Sequence, residues 1–200
     1  MAGTINDFRS SFNVDVARPS RFDVTVPVPY YMLTQYDNAR QLQMRCESAQ
    51  LPGRTFATTQ RKIGSNPVQK YPYMSTYDDV SLTFIVSDDM SEKIFFDSWM
   101  EVINPTMNFN FKYRSDYSVD ISINQYDVTN NLTYVSTLID AYPISVNQLD
   151  MDWSAMDSHH KLSVVFAYSY WENTTVQGIV NNLTTQVLSG LGDNINNILS

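Results

Sequence analysis

Lys161-Leu162-Ser163-Val164-Val165-Phe166-Ala167-Tyr168-Ser169-Tyr170-Trp171 alternates along its length. In an extended chain successive side chains point to opposite faces, so Leu162, Val164, Phe166, Tyr168 and Tyr170 share one side. Val165 and Ala167 make the other side partly apolar. That pattern predicts a strand lying centrally in a sheet. The same reading works outward toward the N-terminus. Strands are expected near 132–147, near 118–126 (Val119, Ile121, Ile123), and at Val80, Leu82, Phe84 and Val86. Phe22, Val24, Val26 and Val28 predict a half-buried strand ending near Pro27 and Pro29. In QLQMRCES (41–48), Leu42, Met44 and Cys46 alternate with Gln41, Gln43, Arg45 and Glu47, which reads as a strand with one wholly polar face.

Three stretches break the alternation. Residues 52–76 carry Pro52, Gly53, Gly64, Pro67 and Pro72 with Arg54, Arg61, Lys62 and Lys70. They read as a long basic loop or a protruding hairpin, and long ordered loops in compact domains usually serve a function. Residues 89–103 read as a helix, with Asp89 and Glu92 spaced as a capping box. Ile94, Phe95, Trp99, Val102 and Ile103 share its expected buried side, and Asn104-Pro105 stops it. Beyond 173, Val176, Ile179, Val180, Leu183, Val187, Leu191, Ile195 and Ile198 recur at three- and four-residue steps. This is an amphipathic helix pattern with one charge, Asp193, expected to dock on its own domain or on a neighbouring subunit.

The 200 residues suffice for one substantial core. The fold class expected is mainly β, with one flanking helix at about 89–103 and a C-terminal amphipathic helix. An arm over 1–19, a β domain over 20–172 and an extension over 173–200 complete the organisation. Net charge is −8, unevenly placed: residues 1–70 hold nine Lys/Arg against five Asp/Glu, and the remainder four against sixteen. Such a split marks a solvated surface or complementary faces that meet on self-assembly. An acidic total argues against tight nucleic-acid binding, which needs phosphates neutralised by cations. A lone cysteine, Cys46, leaves stability to packing and fits a reducing compartment. No apolar run approaches the ~20 residues of a membrane helix, and the first residues lack the apolar stretch of a signal peptide.

Motifs for chemistry are scarce. His159 and His160 are adjacent, so on a strand they face opposite ways and cannot readily share a metal. Six glycines include no P-loop, dinucleotide fingerprint or nucleophile elbow. Asp150, Asp152 and Asp157 form a carboxylate cluster. Counted from Asp150 as a calcium loop, however, the required glycine and glutamate positions are Ala155 and Lys161. A polar turn is the expected reading, with no catalytic, cofactor or metal site. Asp150, Asp152 and His160 are the groups a metal-dependent activity would use. An enzyme is the least supported class, and a β-barrel module stacking carbohydrate on its aromatic rings is an alternative.

Several segments in order resemble one family. They are ARPSRFDV (17–24), CESAQLPG (46–53), Arg61-Lys62-Ile63, YDDVSLTF (77–84), FDSW (96–99), Tyr142-Pro143, LDMDW (149–153) and FAYSYWE (166–172). Together they are similar to the tail tube proteins of contractile-tailed bacteriophages over roughly 17–172. The resemblance implies a β-sandwich or barrel-like subunit, six to a ring, with rings stacked inside a contractile sheath as the conduit for DNA ejection. It implies inward sheets that join across subunits, with their polar faces lining the lumen. Implied partners are the sheath, baseplate, tail terminator and tape measure proteins, with DNA passing without tight binding, in a virion tail assembled in the bacterial cytoplasm. The basic 53–75 loop corresponds in position to a segment that contacts neighbouring subunits and rings. The interface residues expected are Arg54, Arg61, Lys62, Lys70, Tyr77, Asp78 and Asp79, with Leu183 and Val187 in the extension. The family pattern closes near Trp171-Glu172, so the extension leaves open a baseplate-proximal tube initiator.

Overall fold

The longest strand joins the two halves of the architecture. A computed structural model describes residues 5, 16–32, 39–62, 64, 67–154 and 158–174. Among them the strands are β1 (Phe22–Thr25), β2 (Cys46–Ala49), β3 (Thr55–Arg61), β4 (Gln69–Thr76), β5 (Val80–Ile85), β6 (Val119–Tyr126), β7 (Leu132–Val146), β8 (Lys161–Ala167) and β9 (Tyr170–Asn173). The helices are α1 (Ala39–Met44), α2 (Ser91–Ile103) and the short α3 (Arg114–Tyr117). The class is mainly β, as expected, and every pairing is antiparallel.

Seven strands form one sheet in the order β1-β6-β7-β8-β5-β2, with β9 also on β7. Along β7, Leu132 to Ala141 face β6, while β9 and then β8 follow one another along its other side. The strand read as one run over 161–171 is therefore split at Tyr168-Ser169. The split lies opposite Asp140, whose φ of 55° bends β7. Hydrogen bonds hold the bend. Ser169 N–H donates to the Ile139 carbonyl, Asp140 N–H to the Asp120 carboxylate and the Arg114 guanidinium to the Asp140 carbonyl. A kinked, irregular register at such a point turns one part of a sheet away from the other. At the far ends of the order, β1 touches both β2 and α1, so the sheet curls round on itself.

Inside the curl, α2 lays its apolar side on the sheet. Phe84, Phe95, Phe96, Trp99 and Phe166 are fully or almost fully buried. Phe96 stacks with Trp99 and meets Phe84 and Phe166 with ring centroids 5.1 and 6.0 Å apart, within the range of favourable aromatic pairs. Trp99 Nε1–H donates to the Tyr117 carbonyl at 2.9 Å, so its polar atom is satisfied in the core. Leu162, Val164 and Phe166 contribute the inner face of β8, as the alternation requires.

Three local expectations change. Residues 39–44 form a helix and not a strand, and only from Cys46 does the chain extend. Leu42 is buried there while Met44 is 80% exposed, so the two residues read as one face point apart. In α2, Phe96 takes the inward place expected of Ile94, which is 51% exposed. The capping box also differs. Met90 occupies the cap position in the left-handed region with no side-chain cap bond. Glu92 instead turns inward and accepts from Ser87 N–H at 2.8 Å, from Ser87 Oγ and from Arg45.

Candidate assembly surface

Residues 52–76 resolve into the hairpin alternative: β3 and β4 pair only with each other among the described strands. Their residues are exposed along nearly the whole length. Phe56, Val68, Tyr73 and Met74 are more than half exposed. Between residues 53 and 76 there are four cations and no carboxylate. A two-stranded sheet with no face to bury is marginal in water, and both of its edges are open. Gly64, at a φ of +63°, supplies the left-handed residue between the two strands.

The register sorts the expected interface residues into two groups. Gln60 faces Lys70 and Arg61 faces Gln69, so Arg61, Lys62 and Lys70 cluster at the outer end. All three are exposed, and among the described residues no ion pair engages them. Arg54, Tyr77, Asp78 and Asp79 lie at the inner end, about 20 Å away by the rise of seven strand residues. There the Arg54 guanidinium covers the Phe56 and Tyr77 rings at 4.9 and 5.8 Å and donates to Ser75 Oγ. Leu183 and Val187 lie outside the described residues, as do the expected C-terminal helix and Asp157.

Two residues missed as interface or positioning groups hold the hairpin to the body. Trp171 Nε1–H donates to the Gly53 carbonyl at 3.1 Å, and Tyr168 O–H donates to the Asp78 carbonyl at 2.7 Å. Gly53 and Asp78 sit on the two legs, so one donor from the β8–β9 segment grips each. Burial, then the nearby Asp78 and Asp79 charges, push the Tyr168 hydroxyl above its ordinary value, so it stays a donor. Only the aromatic alternation of 166–171 could have drawn attention to them, and it reads equally well as core. A second exposed apolar stretch follows α2: Met107, Phe109, Phe111 and Tyr113 are each at least 70% exposed.

Among the described residues no three His, Cys, Asp or Glu side chains could hold a metal. His159 and His160 line a groove of about 680 Å³ with Asp150, Asp152 and Trp153. Desolvation, partly offset by a bond to the Ser48 carbonyl, pushes the Cys46 thiol up to about 12, which disfavours the thiolate a nucleophile needs. No described helix is long and apolar enough to cross a membrane.

Comparison with known proteins points one way. A family model described as phage tail tube protein matches residues 8–174. A tail tube protein of Serratia phage KSP90 is 24% identical over 168 residues, which cover 82% of this chain and 94% of that one. The fold resembles a chain in the sheath-tube complex of an extracellular contractile injection system, at a TM-score of 0.58 and 14% identity, covering 86% of this chain and 99% of that one. It also resembles a chain in the six-fold symmetrised baseplate of the anti-feeding prophage, at 0.56 and 13%, covering 80% and 95%.

Proposed function

The chain belongs to the phage tail tube protein family, and on that premise we propose that six copies form a ring and that rings stack into the inner tube of a contractile tail. The tube is the conduit for DNA ejection, and the protein has no enzymatic role. The observation that carries this reading is the β3–β4 hairpin, a basic, aromatic two-stranded sheet that buries almost nothing within its own chain. A neighbouring copy gives that surface the partner it lacks. The curled 20–172 domain is the wall element, and joining the β1 and β2 edges between copies would cover both ends of the main sheet's strand order. The acidic total suits a lumen that DNA slides through without sticking. Sheath, baseplate, terminator and tape measure proteins are the partners of such a tube, and its place is the virion tail.

Charge reversal at the hairpin end tests this. In Arg61→Glu/Lys62→Glu/Lys70→Glu the fold is expected to persist, because all three side chains are exposed. Sedimentable tubes are expected to fall about tenfold or more. Tube yield equal to that of the unaltered chain would remove the hairpin from the contact.

A further inference from the structure

The strand register places the hairpin and the β7–β8 connection at opposite poles of the sheet. Val80 at the start of β5 pairs with Phe166, and Ile85 at its end pairs with Lys161. The hairpin is inserted just before Val80, so it springs from the Phe166 pole. The connection over 147–160 springs from the Lys161 pole, about 17 Å away along β8 by the rise of five strand residues.

That second pole has its own character. Its groove of about 680 Å³ is lined by Leu149, Met151 and Trp153, with Asp150 and Asp152 beside them. Trp153 is fully exposed and Met151 nearly so. Asp88 and Asp89 stand exposed at the same pole, because Val86 N–H bonds the His160 carbonyl just before them. The cations there are already answered. Lys161 pairs with Glu47 at 2.6 Å, Lys93 with Asp97 at 2.5 Å, and Arg45 with Glu92. The Ser154 backbone N–H and hydroxyl both donate to Asp152 and hold its carboxyl below the usual range.

We infer that the groove lined by residues 147–153 and 158–161 is the seat for the β3–β4 hairpin of a second copy of this chain in the adjacent ring, Asp150 and Asp152 meeting Arg61, Lys62 and Lys70. This rests on the reading of the hairpin as an assembly contact and names the surface that receives it. Three observations favour that occupant. The hairpin is wholly cationic in its charged residues, and among the described residues no ion pair engages Asp150 or Asp152 in the groove. Each surface presents exposed aromatic or thioether side chains, Phe56, Tyr73 and Met74 on one and Met151 and Trp153 on the other. Their opposite poles make the contact head-to-tail, the kind that does not close on two copies and continues along an axis.

The test is a charge exchange with a covalent check. Asp150→Lys/Asp152→Lys is expected to raise the concentration needed for tube growth about tenfold, since like charges then face each other. Combining it with Arg61→Glu/Lys62→Glu/Lys70→Glu is expected to restore growth toward the original. In a Cys46→Ser background, Lys62→Cys with Trp153→Cys is expected to give disulfide-linked ladders of the chain under mild oxidation. Unchanged growth of the aspartate variant, no recovery in the combination, or no ladder from the cysteine pair in assembled tubes would each overturn the seat. Only normal growth of the hairpin variant alone would also overturn the underlying reading, so the two failures are distinguishable.

Discussion

Glu92 shows how one side chain replaces a conventional helix cap. Its carboxylate is 1% exposed and accepts from Ser87 N–H, Ser87 Oγ and the Arg45 guanidinium. Burial alone would raise its pKa, but these donors outweigh burial and hold it below the ordinary 4.5. The stabilisation is therefore complete above that unfolded value and disappears as pH falls through the lower folded one. Arg45→Met leaves a buried carboxylate without its cation. It is expected to cost about 3 kcal/mol at neutral pH, toward the low end for a broken buried pair because Arg45 is partly exposed. The acid-dependent part of the stability is expected to shrink with it. Urea unfolding from about pH 3 to about pH 7 measures both. A variant as stable as the original at neutral pH would show that the pair contributes nothing net.

Among the elements, the hairpin depends on two donors outside it. Tyr168→Phe keeps its ring and Trp171→Phe leaves a smaller aromatic ring, and they remove the bonds to the Asp78 and Gly53 carbonyls respectively. Each is expected to weaken the anchorage by about 1 kcal/mol, which is about fivefold in local opening. Hydrogen exchange of the β3 and β4 amides should accelerate by that factor, with the β5–β8 amides unchanged. Equal acceleration in both regions would mean that the residues support the core and not the hairpin's pose. The alternating strands were legible in the sequence because one face of each is buried, as at Val80, Leu82 and Phe84. The helix over 39–44 was not legible. Leu42 and Cys46 are four residues apart, a spacing that suits a helix face as well as a strand. The kink at Asp140 was also hidden, because a left-handed residue other than glycine leaves no mark in an apolar pattern. The basic character of 53–75 could be read directly, but its anchoring by Trp171 and Tyr168 is a long-range contact that no local spacing encodes.

For the whole molecule, the uneven charge seen in the sequence becomes a polarity. The hairpin's cations project from one pole of the curled sheet, and the Asp150–Trp153 groove opens at the other. On the proposed reading, a cationic hairpin at one pole and a carboxylate-bearing groove at the other would let copies add along an axis. The hexameric rings proposed above, stacked into hollow tubes, would account for that polarity. Negative-stain electron microscopy of the purified chain at increasing concentration decides the matter. Six-fold rings and hollow tubes that lengthen with concentration are the expected images. Separate single-chain particles persisting at the highest concentrations reached would contradict the tube.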